Sequence, residues 1–307
     1  MSTLDKRSIQ KLSLKFNTSA SIIGEFISLI GKENTVKTLQ MTPKDLNQTA
    51  RVNFLKSDRK TVIQKLKEEK IIAKPIENIP EGINIIKGSN KLGSSLTYLC
   101  GEIMPQGLGS MYSVSELDPK PGEIILDMAA SPGNKSAFIN QRMENEGTLY
   151  VNDISTKRYR QLIYNLSRNN SHAIKYLNQD GRKLGLNNLD KILLDSPCSG
   201  NGLIVSKPTI RNTKNISSSI QLQNIQIQLL NKAIQMLKPG GICVYSTCSI
   251  STIENENVVE KFSNQVRFHT QKSPGIISKK ENKLLGTRYY PHEHLCDGFF
   301  ISRMEKL

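Results

Sequence analysis

Leu126-Asp127-Met128-Ala129-Ala130-Ser131-Pro132-Gly133-Asn134-Lys135 decides the fold. The apolar run Glu123–Ala129 reads as a strand, the small residues after it as a tight turn, and Lys135–Asn145 as a helix. A strand, turn and helix in that order is where an open α/β sheet takes a ligand. Small side chains let a ligand approach the backbone, and Asn134 is a non-glycine residue that tolerates positive φ. The turn is neither Gly-x-Gly-x-x-Gly nor a phosphate-binding loop, so its meaning depends on the residues at the ends of the other strands.

Four further strands are predicted at Thr148–Ile154, Ala173–Asp180, Lys191–Pro197 and Gly241–Ser249. Helical stretches at Thr156–Asn169 and Ser218–Lys238 alternate with them, the second stopped by Pro239-Gly240-Gly241. This alternation predicts an α/β fold, a mostly parallel sheet with helices on both faces. Thr252–Phe262 reads as a helix capped by Thr252, and Val266–Gln271 with Gly298–Arg303 as a late antiparallel pair. Upstream, Ile22, Ile23, Phe26, Ile27 and Ile30 have helical spacing, Arg51–Leu55 is extended and Thr61–Lys70 is helical. The Gly- and Ser-rich stretch Gly88–Gly101 marks a hinge, dividing a small α/β unit, 1–95, from a larger one, 96–307.

The predicted strands end in acids: Asn152-Asp153, Gln179-Asp180 and Asp195-Ser196-Pro197-Cys198. Carboxylates at the carboxyl ends of neighbouring strands converge on one crevice, and Asp153 after the second strand suits the two hydroxyls of a ribose. Any one such acid is ordinarily a helix cap or turn former, but three in register favour a ligand. Cys198 and Cys248 follow strands expected to be neighbours, so both thiols face one substrate, with Lys135 as a local positive charge. Cys243, Cys100 and Cys296 read as small buried apolar residues.

Composition narrows the partner. The chain has 307 residues with 42 Lys and Arg against 27 Asp and Glu, a formal charge of +15 that attracts polyanions. Arg51–Lys74 and Arg267–Arg288 are basic segments, the first read as a solvated helix face. Without Trp, and with 6% aromatic residues, phosphate contacts are expected to outweigh base stacking. Five cysteines with no Cys-x-x-Cys pair argue against a disulfide framework and a zinc cluster, so no metal is expected. No run reaches the roughly 20 apolar residues of a membrane span, and no secretory signal pattern opens the chain, so no membrane partner is expected.

Asp127-Met128-Ala129-Ala130-Ser131-Pro132-Gly133-Asn134-Lys135, Asn152-Asp153, Asp180-Gly181-Arg182, Asp195-Ser196-Pro197-Cys198-Ser199-Gly200 and Thr247-Cys248-Ser249 resemble, in order and spacing, the motifs of RsmB-type, or Sun-family, RNA cytosine-5 methyltransferases. Gly202-Leu203-Ile204-Val205-Ser206-Lys207-Pro208, Gly286-Thr287-Arg288-Tyr289-Tyr290-Pro291-His292-Glu293-His294 and Asp297-Gly298-Phe299-Phe300-Ile301 resemble the nucleolar branch acting on large-subunit ribosomal RNA. Arg51-Val52-Asn53-Phe54-Leu55-Lys56 resembles the start of that family's RNA-binding subdomain. The turn differs from the commoner Cys-Ala-Ala-Pro-Gly-Gly-Lys at Ala129, Ser131 and Asn134, all of which keep it small or left-hand tolerant. Nucleolar members usually carry long charged extensions, so a reduced version is expected here.

The resemblance implies a Rossmann-like class I S-adenosylmethionine-dependent methyltransferase sheet behind a small N-terminal α/β RNA-binding subdomain. It implies S-adenosylmethionine held by Ala129, Ala130, Ser131, Pro132, Gly133, Asn134 and Lys135 and by Asp153, Asp180 and Asp195. Cys248 is then the nucleophile, Cys198 assists release, and Asp195 and Lys135 steady the cytosine edge. The implied partners are pre-ribosomal large-subunit RNA and its particle, in the nucleus and nucleolus. The alternatives are a transfer RNA substrate, an RNA-binding assembly factor with dispensable catalysis, and a uracil or DNA cytosine methyltransferase with Cys198 as nucleophile.

Overall fold

The structure, a computed structural model, describes residues 6–213 and 216–307. Helices Lys6–Phe16 and Ala20–Gln40 come first, the second kinked at Gly31, where φ is 77°. Strands β1 (Gln48–Val52), β2 (Ile72–Ile76), β3 (Ile79–Lys87) and β4 (Ile103–Pro105) form an antiparallel sheet in the order β2-β3-β1-β4. Helix Arg59–Glu68 covers it: Asp58 caps its start by accepting from the Thr61 amide at 3.0 Å, and Val62 and Leu66 pack on Ala50, Val52 and Ile83.

The larger sheet contains β5 (Ile124–Asp127), β6 (Thr148–Asn152), β7 (Ile174–Leu177), β8 (Leu189–Asp195), β9 (Leu237–Thr247), β10 (Val266–His269), β11 (Ile276–Lys280), β12 (Lys283–Tyr289) and β13 (Phe299–Lys306). Its order is β11-β12-β13-β9-β8-β5-β6-β7, with β10 on β13. The five strands from β7 to β9 are parallel and the rest antiparallel. From β5 the chain winds outward through β6 and β7, then returns to build β8 and β9 on the other side. The reversal between β5 and β8 opens a crevice beyond their carboxyl ends.

The inner strands β5, β6, β8 and β9 are largely buried on both faces, which is why they read as apolar runs, whereas β7 at the edge is only partly covered. Along β8 and β9, Leu193 and Val244 join the core containing Val114, Phe138 and Leu162, while Ile192, Leu194, Cys243 and Tyr245 join the opposite core with Leu230 and Ala233. Truncating a residue such as Phe138 to alanine costs about 3–5 kcal/mol at a site of this kind.

The two sheets are not independent. Ile103–Pro105, beyond residue 95, is a strand of the small sheet, and Ile22, Ile23 and Phe26 share a core with Ile204, Val205, Ile250 and Tyr290 of the larger unit. Arg51 is fully buried between them, not part of a solvated basic face. Its Nε donates to Gln106 Oε1 at 3.1 Å, it also bonds Gln141, and its guanidinium lies 5.0 Å from the Phe138 ring. Burial pushes Arg51 down to about 9, against the pull of nearby Glu81. Arg288, in the second basic segment, is likewise buried and paired with Glu256. Neither arginine is presented to a polyanion.

Other expectations shift at the ends of elements. Helix Ile216–Met236 stops before Pro239, and β9 begins at Leu237; Lys238–Gly241 leave the ladder in a bulge, with Gly240 at φ 73°, so the proline breaks no sheet bond. Within 252–262 the chain makes turns, then only Glu256–Val259 and a 3-10 turn. Gly133, at φ 102°, takes the left-handed position, and Asn134 opens helix Asn134–Arg142. Cys100 is exposed at the end of the short helix Leu96–Leu99, so it is not a core residue; Cys243 and Cys296 are buried.

Candidate active site

The crevice, about 560 Å³, is lined by Met128, Ala129, Ser131, Asp153, Asp180 and Asp195, with both Cys198 and Cys248 at one end. The convergence expected of the strand-end acids is therefore geometric fact. Ala130, Pro132, Gly133 and Asn134 do not line it. They shape the turn: Ala130 N donates to Asn152 O at 2.7 Å, Gly133 N to Ala130 O at 2.7 Å, and Asn165 Nδ2 to Pro132 O at 2.7 Å. Asn134 faces another cleft, and Lys135 reaches the site through Asp195.

Asp153 is 2% exposed and binds the turn directly, its Oδ2 accepting from Ser131 N at 3.1 Å and its Oδ1 from Ser155 N at 2.8 Å and Arg158 Nη2 at 3.2 Å. Three donors leave about one of a carboxylate's four acceptor positions. A ribose diol held by both oxygens would take the place of Arg158, whose side chain is 57% exposed. Asp180 carries Arg182 at 2.6 Å, and the hydrogen bond from that guanidinium holds its carboxyl below the usual range. Asp127 lies behind the turn, 1% exposed; burial pushes it up to about 7 although Ser136 Oγ donates to it at 2.6 Å.

At the other end, Lys135 Nζ donates to Asp195 Oδ2 at 2.7 Å, and Ser246 Oγ donates to Asp195 Oδ1 at 2.9 Å. Burial works against the ammonium, but the charge and hydrogen bond of Asp195 prevail and raise Lys135 above its ordinary value. The thiols of Cys198 and Cys248 are 3.2 Å apart. The hydrogen bond with Cys248, then burial, push the Cys198 thiol well up.

One group that positions these thiols has no counterpart among the residues singled out from the sequence. Glu254, fully buried, accepts from Ser199 N at 2.8 Å and from Ser199 Oγ, Ser219 Oγ and Ser249 Oγ at 2.5, 2.7 and 2.7 Å; Gln226 Nε2 donates at 3.0 Å. It thus ties the Cys198 loop to the Cys248 loop and to helix Ile216–Met236. Asn201 adds a second tie by accepting from Ser249 Oγ and Ile250 N. The signal in the sequence was an acid-rich run, Glu254-Asn255-Glu256, just past a strand that ends in cysteine.

The crevice fits S-adenosylmethionine. Ser131 Oγ is buried at its wall without a hydrogen-bond partner, Asp153 and Asp180 line it, and Ile154, Ile225 and Leu229 add apolar lining suited to a planar base. Among the described residues there is no cluster able to hold a metal ion, and no described helix is long and apolar enough to cross a membrane.

Comparison with known proteins agrees. The family model for 16S rRNA methyltransferase RsmB/F matches residues 114–305. The human 28S rRNA (cytosine(4447)-C(5))-methyltransferase is 30% identical over 96% of this chain and 38% of its own length. The tRNA (cytosine(49)-C(5))-methyltransferase of Pyrococcus abyssi is 34% identical over 86% of this chain and 89% of its own. The crystal structure of a methyltransferase homolog protein from Pyrococcus horikoshii has TM-score 0.86 at 31% identity, over 98% of this chain and 99% of that one. Against the human protein and two other eukaryotic rRNA methyltransferases, the chain spans 38% to 46% of their length. By its sequence and by the sheet that carries its acids and thiols, the chain belongs to the RsmB/F, or Sun, family of S-adenosylmethionine-dependent RNA methyltransferases.

Proposed function

We propose that this chain forms 5-methylcytosine in large-subunit ribosomal RNA during ribosome biogenesis, with Cys248 as the nucleophile. The observation that carries the reading is the thiol pair 3.2 Å apart at the end of the cofactor crevice, beside the Lys135–Asp195 ion pair. The Cys248 thiolate adds to C6 of the target cytosine, which makes C5 electron-rich. Bound S-adenosylmethionine supplies the electrophilic methyl group. A base, water or Cys198 in its thiolate form, then takes the C5 proton, and the electrons of that C–H bond re-form the C5–C6 double bond and expel the Cys248 thiolate from C6; Cys198, 3.2 Å from Cys248, is within reach of that step. Lys135 and Asp195 present a donor and an acceptor to the N3 and amino edge.

Cys248 rather than Cys198 is the nucleophile because it borders two cavities, the cofactor crevice and a second cleft, whereas Cys198 borders the first alone among the cavities described. A cytosine stacked inside a helix cannot offer C6 to a thiol, so the target is single-stranded or flipped out. The large-subunit assignment, with its pre-ribosomal particle and nucleolar location, is favoured by the names of the eukaryotic relatives. A transfer RNA substrate is the second reading, favoured by the Pyrococcus abyssi relative, most of whose length is matched.

The test is nucleoside mass spectrometry of ribosomal and transfer RNA incubated with S-adenosylmethionine and protein. The expected result is new 5-methylcytidine in large-subunit RNA with the wild type, none with Cys248→Ala, and a stable protein–RNA adduct with Cys198→Ala. Methylation by Cys248→Ala at the wild-type rate would overturn the mechanism, and methylation of transfer RNA alone the substrate.

A further inference from the structure

The second cleft, about 430 Å³, lies on the other side of Cys248 from the cofactor crevice, and Cys248 is the residue the two linings share. It is walled by Thr49 of β1 with Asn47 and Gln106 at the ends of β1 and β4, and by Ser206 and Asp297 from loops of the larger unit. Gln106 has its side-chain oxygen taken by the buried Arg51 and its backbone carbonyl by the Thr49 hydroxyl. Asp297 Oδ1 is buried without a hydrogen-bond partner. Burial raises its carboxyl against the pull of the Ser206 hydroxyl and amide.

The place of Asp297 relative to the thiol is fixed by main chain. Gly202 N donates to Cys248 O at 3.0 Å, and Gly298 N, next to Asp297, donates to Gly202 O at 2.9 Å. A Cβ on Gly202 would lie 2.2 Å from Gly298 O, and one on Gly298 would lie 2.9 Å from Gly202 Cα. Only glycines allow these two segments to touch, so the acid and the nucleophile are held on one short backbone ladder.

A cytosine attacked by Cys248 at C6 must turn C5 toward the methyl donor in the first crevice. C6 lies between C5 and N1, and N1 carries the ribose. With C5 toward the cofactor, the ribose is therefore directed away from it, past Cys248 and into the second cleft. We propose that this cleft seats the ribose of the target nucleotide and that Asp297 accepts a hydrogen bond from its 2′-hydroxyl, selecting RNA over DNA. The inference rests on the function proposed above and assigns its sugar specificity.

The test uses the full chain and one RNA oligonucleotide carrying the cytidine to be methylated, made in three forms that differ at that nucleotide alone: ribose, 2′-deoxyribose and 2′-fluoro. A hydrogen bond to a charged group predicts that wild-type kcat/KM falls about 10- to 100-fold on both modified forms. Asp297→Ala is expected to lose a similar factor on the ribose form and to treat all three alike. Equal wild-type rates on the three forms would overturn the inference, as would an Asp297→Ala protein that keeps the preference; the first arm needs no variant to fold. If wild type methylates none of the forms and Cys198→Ala traps none, the function proposed above fails and this inference with it.

Discussion

The turn 127–135 and the two cysteine loops meet at one crevice but are held by different means. The turn is held by its own backbone, by Gly133, by one carboxylate, Asp153, after the next strand, and by Asn165 of the helix that follows. The cysteine loops are held from afar, through Glu254, on which the loops after β8 and β9 and a helix converge. Its donors are four neutral groups and a backbone amide, and no salt bridge to it is present among the described residues. A site built this way has a robust cofactor side and a chemical side whose loops depend on a single buried carboxyl group.

The largest expected effect breaks that chemical side. Glu254→Ala leaves several buried donors without an acceptor, a loss of about 3 kcal/mol in unfolding free energy measured by denaturant titration. Misplacing reacting groups by about 1 Å costs on the order of 100-fold, so methyl transfer should fall at least that far. Calorimetric affinity for S-adenosylmethionine should change little, and a parallel loss of affinity would show that the two sides are not separable.

A smaller effect sharpens the contrast at the turn. Asp127 has a folded value of about 7 against an ordinary carboxylate near 3.8, so the native state holds its proton where the unfolded chain has released it. Stability from this group is complete below the unfolded value and declines as pH rises from about 4 through 7. Asp127→Asn, which cannot ionise, should flatten that part of the stability profile in denaturant melts taken across the range. An unchanged slope would mean that Asp127 does not titrate there.

The same contrast explains what could be read in advance. The parallel strands and the acids at their ends were legible because each strand is an apolar run closed by a polar residue, a local pattern. The turn was legible for the same reason, although its left-handed residue is Gly133 and not Asn134. Arg51, Arg288 and Glu254 were not legible. A charged side chain becomes a core residue only when partners arrive from far along the chain, and Arg51 meets Gln141 while Glu254 meets Ser199 and Ser219. Strands β11 and β12 were missed because the edge strand carries Lys279 and Lys280, residues typical of a protected sheet edge and of a loop alike.

The shared wall at Cys248 also bears on the order of events in turnover. Because the two cavities meet at that one residue and otherwise have separate linings, filling one does not close the other. With the target nucleotide in the second cleft, as proposed, neither substrate would be obliged to precede its partner. Initial rates measured against both concentrations should give intersecting lines, with each product acting as a competitive inhibitor of its own precursor; an ordered inhibition pattern would mean that one occupant reshapes the seat of the other.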